Sequence, residues 1–332
     1  MKPITVLQIG LGPLGIKVAQ FIAERTGLKT IAAVDKNPSL IGKDLGQLSG
    51  SIASGILIKS TIAEAIKKKK PDVAILTTVS DMKRITPQIE EILSFGIPVV
   101  STCEELSFPW KTAPKLASRL DEAAIRNQVA VLGTGVNPGY LMDALPIFLT
   151  AVCQNVESVH VNRFQNAQFR RIPFQKKIGA GLTLEEFEKK KQDASLRHVG
   201  LTESIQMIAH RMGWKLDKTE DIISPVLAKK KIETPAMTIP AGHATGVRQE
   251  GNGYVNGEVK IKLTFQATVG EPESYDEVIV EGTPRIHSKI AGSVNGDVAT
   301  CAITLNAIPQ VLRSTPGLKT MVDIPPVSFF DR

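Results

Sequence analysis

From the N-terminus to about residue 135, short apolar runs alternate with stretches of helical period. Ile4 to Ile9 is a nearly continuous apolar run, the pattern of a parallel strand covered on both faces. An amphipathic stretch follows to Arg25, then a second strand over Lys29 to Val34 and a third expected over Ile56 to Ile58. Thr61 is placed to cap a helix running to Lys70, because its hydroxyl can accept a backbone N–H of the first turn. Asp72 to Val79 reads as a buried strand, Ile85 to Phe95 as a helix stopped by Gly96, and Pro98 to Cys103 as a further strand. A helix over Lys111 to Asn127 and a strand over Val129 to Leu132 close the series. Such alternation predicts a parallel sheet with helices on both faces.

After Gly139 the texture changes. Glu157 to Gln165 reads as a strand, and Thr183 to Asp193 as a helix whose Thr183 and Glu186 form a capping box. Leu201 to Trp214 is helical. Glu258 to Thr268 alternates, with Val259, Ile261, Leu263 and Phe265 on one face, and Asp276 to Ile290 looks like its neighbour in an open sheet. Glycine and asparagine mark expected loops at Gly251 to Gly257 and Gly292 to Gly296, and Asp297 to Ser314 is helical, interrupted by Pro309. The expected fold class is α/β: an N-terminal parallel-sheet domain plus a C-terminal α+β domain with an open mixed sheet. The first covers 1–138 with about 297–332 returning to it, and the second, for substrate and oligomerisation, covers 139–296.

Composition narrows the class. The chain has 332 residues, 42% apolar and 22% charged, enough to bury full cores without staples. Three widely spaced cysteines and five histidines without ligand spacing argue against a disulfide framework or a metal site, and for a reducing cytoplasm. The formal charge of +7 comes with lysine runs at Lys67 to Lys70, Lys189 to Lys191 and Lys229 to Lys231. No aromatics interleave them to stack bases, so they read as solvated faces rather than nucleic-acid sites. The longest apolar stretch, Tyr140 to Cys153, contains Asp143 and is shorter than the roughly 18 residues a membrane span needs.

The first strand runs into Gly10-Leu11-Gly12-Pro13-Leu14-Gly15, which opens a helix, and Asp35 ends the second strand 20 residues beyond Gly15. This is the dinucleotide fingerprint of a Rossmann domain. Gly10 allows the tight turn, Gly12 lets backbone approach a pyrophosphate, and Gly15 lets helix and strand pack closely. Pro13 and Leu14 begin the helix, whose N–H groups then face the phosphates. Asp35 is suited to accept hydrogen bonds from a ribose and repels a 2′-phosphate, which favours NAD. Lys36 and Lys43 offer a counter-charge that leaves NADP open. Thr77, Thr78 and Val79 end a strand at the carboxyl edge where ligands gather, though plain β-propensity also explains the threonines.

Further along the same edge stands Cys103-Glu104-Glu105. Adjacent carboxylates face different directions, so at most one reaches a crevice; alternatively both open a turn whose acids complement the next helix. Cys103 is a candidate cofactor neighbour that packs as a small hydrophobe rather than acting as a nucleophile. Asn137 and Pro138 suit the N-cap and first position of a helix, or Asn137 contacts nicotinamide or substrate. Tyr140 and Leu141 are pocket wall or core. Arg163, Arg170, Arg171, Lys176 and Lys177 are candidates to hold a substrate carboxylate, and Asn306 is a candidate cofactor contact.

Ser101-Thr102-Cys103-Glu104-Glu105-Leu106 and Gly133-Thr134-Gly135-Val136-Asn137-Pro138-Gly139-Tyr140-Leu141-Met142-Asp143 resemble segments of the dihydrodipicolinate reductase-like superfamily. More closely, they resemble its branch of 2,4-diaminopentanoate and native amine dehydrogenases. Pro173 to Leu182, Gly246 to Gln249, Asn306 to Pro309 and Pro316 to Leu318 are similar too, so the likeness spans nearly the whole chain. The paired histidines and the Lys-x-Asp-x-Pro-Ser-Gly-Thr-Ala loop of dihydrodipicolinate reductase itself are missing. The resemblance implies NAD(P)-dependent oxidative deamination of an amine that is not an ordinary α-amino acid, with reductive amination of a ketone by ammonia in reverse. It gives the catalytic carboxylate to Glu104 ahead of Glu105, and implies a homodimer built through the second domain. Another oxidoreductase of the superfamily, reducing C=N or C=O, is the alternative.

Overall fold

Ile4–Ile9 (β1), Pro13–Ala23 (α1) and Leu28–Val34 (β2) form a βαβ unit whose strands pair in parallel. The computed structural model of the chain describes residues 2–168, 172–193, 196, 198–235 and 237–331. Leu45–Leu48 (α2) and Ile62–Ile66 (α3) lie in the connection to Val73–Leu76 (β3), followed by Met82–Ser94 (α4), Val99–Ser101 (β4), Pro109–Thr112 (α5), Pro114–Arg126 (α6) and Ala130–Gly133 (β5). Next come Ala144–Leu149 (α7), Asn155–Asn166 (β6), Ile172–Lys177 (α8), Leu184–Gln192 (α9), Leu201–Met212 (α10) and Lys218–Leu227 (β7). Ile232–Glu233 (β8) pairs with Thr238–Ile239 (β9) before the long strands Ala244–Val255 (β10), Glu258–Thr268 (β11), Tyr275–Thr283 (β12) and Ile286–Ala291 (β13). Gly296–Asn306 (α11), Ile308–Arg313 (α12) and Gly317–Lys319 (β14) complete the order.

The chain divides into two units, one running to Tyr140 and resuming at Asn295, the other spanning Leu141–Val294. The first is a six-stranded parallel sheet in the order β14-β5-β4-β3-β1-β2. Its central strands β3, β4 and β5 are buried on both faces, and α4 and α6 supply Ile85, Ile89, Ile92, Leu120 and Ala124 to a core with Leu7, Ala74, Val99 and Val131. Strand order reverses between β1 and β3, so the connections leaving them part and open a crevice at their carboxyl ends.

The second unit is a six-stranded mixed sheet, β13-β12-β6-β11-β10-β7, in which only β6 and β11 run parallel. Gly251 and Gly253 lie inside β10, where a Cβ would come within 2.9 and 2.8 Å of Leu201 and Ile205 of α10. The glycines there are packing residues that let helix and sheet close up, and the loop expected at Gly251 to Gly257 is largely strand.

Other departures have local causes. Ile56 to Ile58 joins no sheet as a strand; it is tied by an isolated bridge at Leu57 and by backbone bonds to Lys43 and Leu45. Pro114 splits the helix expected over Lys111 to Asn127, and Pro284 splits the strand expected over Asp276 to Ile290 into the β12–β13 hairpin. Thr61 does cap α3, accepting from Glu64 N–H, and the Thr183–Glu186 capping box opens α9. No helix among the described residues is long and apolar enough to cross a membrane.

Candidate functional site

Gly10 has φ of +85°, a conformation glycine adopts without penalty, and its carbonyl is held by Gln8 Nε2 at 3.1 Å and Thr77 Oγ1 at 2.8 Å. A Cβ on Gly15 would overlap that same carbonyl oxygen, so the third glycine is what lets α1 sit against the turn. Gly12, by contrast, would meet nothing within 4 Å. Its open side is the approach to the N-terminus of α1, where Pro13 occupies the first position and the N–H groups of Leu14 and Gly15 need no protein acceptor.

Asp35, at the end of β2, binds this loop. Its carboxylate accepts from Leu11 N–H at 2.6 Å and from Asn37 N–H at 2.8 Å. Each oxygen keeps acceptor capacity for a further donor. A cavity of about 430 Å³ opens here, bounded by Gly10 and Gly12, by Asp35, Lys36 and Ser60, and by Thr77, Thr78 and Val79. Arg84, Gln88, Glu91 and Ile92 of α4 form its remaining wall. It lies at the point where strand order reverses, and it has apolar sides at Ile9, Val34, Leu76 and Ile62 suited to a flat aromatic base. Lys43 is not on its wall. The glycine cradle and the cavity together fit a dinucleotide.

The adjoining strand ends, β4 and β5, carry a different set of groups. Cys103 is buried, donates its N–H to Ser101 Oγ at 3.2 Å and packs in the core; burial pushes its thiol far up, so it is inert at neutral pH. Glu104 and Glu105 form a single turn of 3-10 helix. Glu105 turns inward to the start of α4, where its Oε2 accepts Met82 N–H at 2.8 Å beside the N-cap Asp81. Glu104 is half-buried, and its carboxylate makes no hydrogen bond or ion pair to a described residue. The two neighbours have thus separated their work: one closes a helix end, the other is left for solutes.

Beyond β5 the chain makes a tight turn rather than the expected helix start. Asn137 precedes Pro138 across a cis peptide, α7 begins only at Ala144, and its N-cap is Asp143. Asn137 is therefore no cap. Asn137 is 8% exposed, yet neither amide atom has a hydrogen-bond partner among the described residues, and the same holds for Thr134 Oγ1 and Ser107 Oγ. Buried polar atoms without partners are costly, so four of them around the β4 and β5 ends mark a place built for something polar. Thr134 is fixed to β4 through its N–H to Ser101 O at 2.9 Å, while Val136 N–H reaches Thr300 Oγ1 of α11 at 3.3 Å. Tyr140 is half-buried; Leu141 is buried.

Several expected residues go elsewhere. Asn306 Oδ1 accepts from Arg25 Nη1 at 2.8 Å and from Phe330 N–H at 3.1 Å. Arg25 lies just beyond the C-terminal end of α1, the end opposite the glycine loop, so Asn306 fastens a tail segment and does not reach the cofactor cavity. Arg163 is 3% exposed and pairs with Asp276 at 2.7 Å, with Nη2 on Val294 O at 2.8 Å. It is an internal brace of the second unit, not an open carboxylate receptor. Lys177 is exposed on α8; Arg170 and Arg171 lie outside the described residues. Sequence reasoning missed Ser60, Arg84 and Gln88 as cavity wall. The one available signal was that Arg84 sits in the first turn of a helix leaving a carboxyl strand end.

The comparisons agree with this geometry. Residues 140–330 match the family model of the 2,4-diaminopentanoate dehydrogenase C-terminal domain. Over 98% of its length and 94% of the relative's, the chain is 33% identical to 2,4-diaminopentanoate dehydrogenase of Acetoanaerobium sticklandii. It is 22% identical to an amine dehydrogenase of Streptomyces virginiae over 95% of this chain and 94% of that one. Among solved structures, the amine dehydrogenase from Mycobacterium smegmatis superposes with a TM-score of 0.84 at 21% identity, covering 100% of this chain and 98% of that one. The WlbA dehydrogenase from Bordetella pertussis, in complex with NADH and UDP-GlcNAcA, shares the fold at a TM-score of 0.51 and 12% identity, over 93% and 88% of the two chains. With the family model covering more than half of it and a relative matched almost end to end, the chain belongs to the 2,4-diaminopentanoate dehydrogenase family.

Proposed function

We propose that this protein is an NAD(P)-dependent dehydrogenase that oxidatively deaminates 2,4-diaminopentanoate or a related amine. The overall change takes a protonated amine, water and oxidised cofactor to a ketone, ammonium, reduced cofactor and one proton. A nicotinamide dinucleotide, when bound, supplies the hydride acceptor; the glycine loop, the α1 N-terminus and Asp35 are the groups that hold it. The observation that carries the chemistry is the division between the paired acids, with Glu105 fixed on Met82 N–H and Glu104 without a partner among the described residues.

Glu104 takes a proton from the ammonium form of the substrate, since only the neutral amine can release hydride from its carbon. Once that proton has passed to solvent, the regenerated carboxylate faces the substrate iminium, an arrangement worth most in a site of low dielectric. As water adds to that carbon, Glu104 accepts its proton and returns it to the departing nitrogen, a contribution of general acid–base kind typically worth about 10²- to 10⁴-fold. The unpartnered Asn137 amide, with one acceptor and two donors, orients the nitrogen or the carboxamide beside it.

The test is reduction of NAD and NADP in the presence of 2,4-diaminopentanoate, simple alkyl amines and α-amino acids, with the reverse reaction run with and without ammonium. The expected result is turnover of diaminopentanoate, and ketone-dependent oxidation of reduced cofactor only when ammonium is present. Oxidation with ketone alone would replace amine chemistry by carbonyl reduction and refute the proposal.

A further inference from the structure

The first unit has a second cavity, at the edge of its sheet opposite β2. Its volume is about 530 Å³, and its walls are Gln310 and Arg313 of α12, Ser314 and Thr315 beyond it, Lys319 of β14, and Asp323 in the segment that follows. None of these residues borders the cofactor cavity. β14 stands three strand positions from β3, about 14 Å at the usual spacing, so the two cavities are distinct.

The charges around this second cavity are of both signs, and they are held apart. Asp323 accepts Thr320 N–H at 2.8 Å and Thr320 Oγ1 at 2.6 Å, both on Oδ2, which leaves Oδ1 open. The Arg313 guanidinium is anchored through Nε on Pro309 O at 3.0 Å and through Nη2 on Gln310 Oε1 at 3.3 Å. Its Nη1 keeps both N–H groups for a solute. Lys319 is half-buried and makes no ion pair to a described residue. Neither cation pairs with Asp323, although all three face one space. Bonds within their own segments fix Asp323 and Arg313 on separate walls, so a solute that carries both signs can bridge them. Ser314 Oγ already donates to Gln310 O at 2.7 Å, so towards the cavity it can only accept, as an ammonium group requires.

We infer that this cavity binds an α-amino acid with a second carboxylate in its side chain. Two cations and one carboxylate on the walls match two carboxylates and one ammonium on such a ligand. Arg313 takes one carboxylate through parallel N–H donors, Lys319 adds a point charge for the other, and the ammonium lies on Asp323 Oδ1 and Ser314 Oγ. The inference stands apart from the reaction proposed above, since no residue of the site belongs to the glycine loop, the cofactor cavity or the acids at the end of β4.

The experiment is isothermal titration calorimetry of the full chain at low salt with L-glutamate, and with glutarate, the same carbon chain without the ammonium. Wild type is compared with Arg313→Gln, Lys319→Gln and Asp323→Asn. L-Glutamate is expected to bind wild type with a Kd of about 1 mM or below, and glutarate at least about tenfold more weakly. Arg313→Gln and Lys319→Gln should each weaken glutamate about fivefold or more, and Asp323→Asn should bring glutamate and glutarate to the same affinity. Melting curves of all three variants should follow wild type, because Arg313 and Asp323 are exposed and asparagine still accepts from Thr320. Glutarate bound by wild type as tightly as glutamate overturns the amino-acid assignment. Glutamate binding that none of the substitutions weakens overturns the site, the ligand then lying elsewhere on the chain. No binding of glutamate up to about 10 mM overturns it as well.

Discussion

Adding one methyl group to Gly12 and one to Gly15 should have opposite consequences, although the two positions are three residues apart. At Gly12 the backbone has φ of −66° and ψ of −178°, extended values open to alanine, and the new Cβ meets nothing within 4 Å. Alanine is a poorer N-cap than glycine by about 0.5–1 kcal/mol, while its stiffer unfolded chain returns about 0.4–1 kcal/mol. The two terms nearly cancel, so the melting temperature of Gly12→Ala should stay within about 2 °C of wild type. At Gly15 the Cβ overlaps Gly10 O and comes within 2.7 Å of Thr77 Oγ1. The loop must shift against the bonds from Gln8 and Thr77 that hold it, a cost of about 1–3 kcal/mol, or roughly 3–10 °C for a unit of this size. Thermal melts followed by circular dichroism, with NADH and NADPH titrations alongside, separate the cases. Gly12→Ala should melt normally and bind both cofactors about tenfold or more weakly, because its methyl fills the approach of the pyrophosphate. Gly15→Ala should lose stability as well. Normal cofactor affinity in Gly12→Ala, or melting as early as Gly15→Ala, would refute the reasoning.

Glu104→Gln should lower kcat by about 10²- to 10⁴-fold with the melting curve unchanged. Glu105→Ala should instead cost about 0.5–2 kcal/mol of stability through the lost bond to Met82 N–H, with a much smaller effect on kcat; steady-state rates beside urea melts distinguish the pair. Asp276→Ala strands the buried guanidinium of Arg163 and should destabilise the second unit by about 3–5 kcal/mol in urea unfolding, whereas Arg163→Met with Asp276→Leu should recover most of the loss. Burial, with Lys177 and Arg163 nearby, pushes the His198 imidazole down to about 4. The unfolded chain protonates it near about 6.5, so the unfolded state binds the extra proton between those values, and this residue's contribution to stability falls as pH drops from 6.5 towards 4. His198→Gln should flatten that part of the stability profile, by up to about 1.4 kcal/mol per pH unit, read as urea midpoints at pH 7 and pH 5.

The parts of this protein that were legible in its sequence are those fixed by neighbours in the chain. The first strand, the glycine turn and α1 follow from backbone geometry within a dozen residues, and Thr61 and Thr183 announce their helices through bonds only three positions long. The α/β class followed from the same local periods. What stayed hidden depends on distant partners. Gly251 and Gly253 look like loop residues until α10 is laid against them. Arg163 looks like a substrate receptor until Asp276, 113 positions away, is brought beside it. Asn306 answers to Arg25, 281 positions distant. Pro138 satisfied the pattern of a helix start, and only the folded turn shows Asn137 with its amide unused. Arg84 entered the cavity wall because the packing of α4 against the sheet puts it there, a fact no local period contains.

The parallel sheet of the first unit is finished by a strand of three residues, Gly317–Lys319, whose Leu318 N–H is received by Asp121, 197 positions earlier. During synthesis at about 5–20 residues per second, β5 therefore waits roughly 10–40 s as an uncovered edge while the entire second unit is made. The helix α11, which packs on α1, arrives equally late. For that interval the ribosome-bound chain carries a sheet able to pair with any strand that reaches it, and the second unit can fold to completion before the first one does. A chain released at Val294 would hold the glycine loop and both acids, and would still lack the strand that closes their sheet.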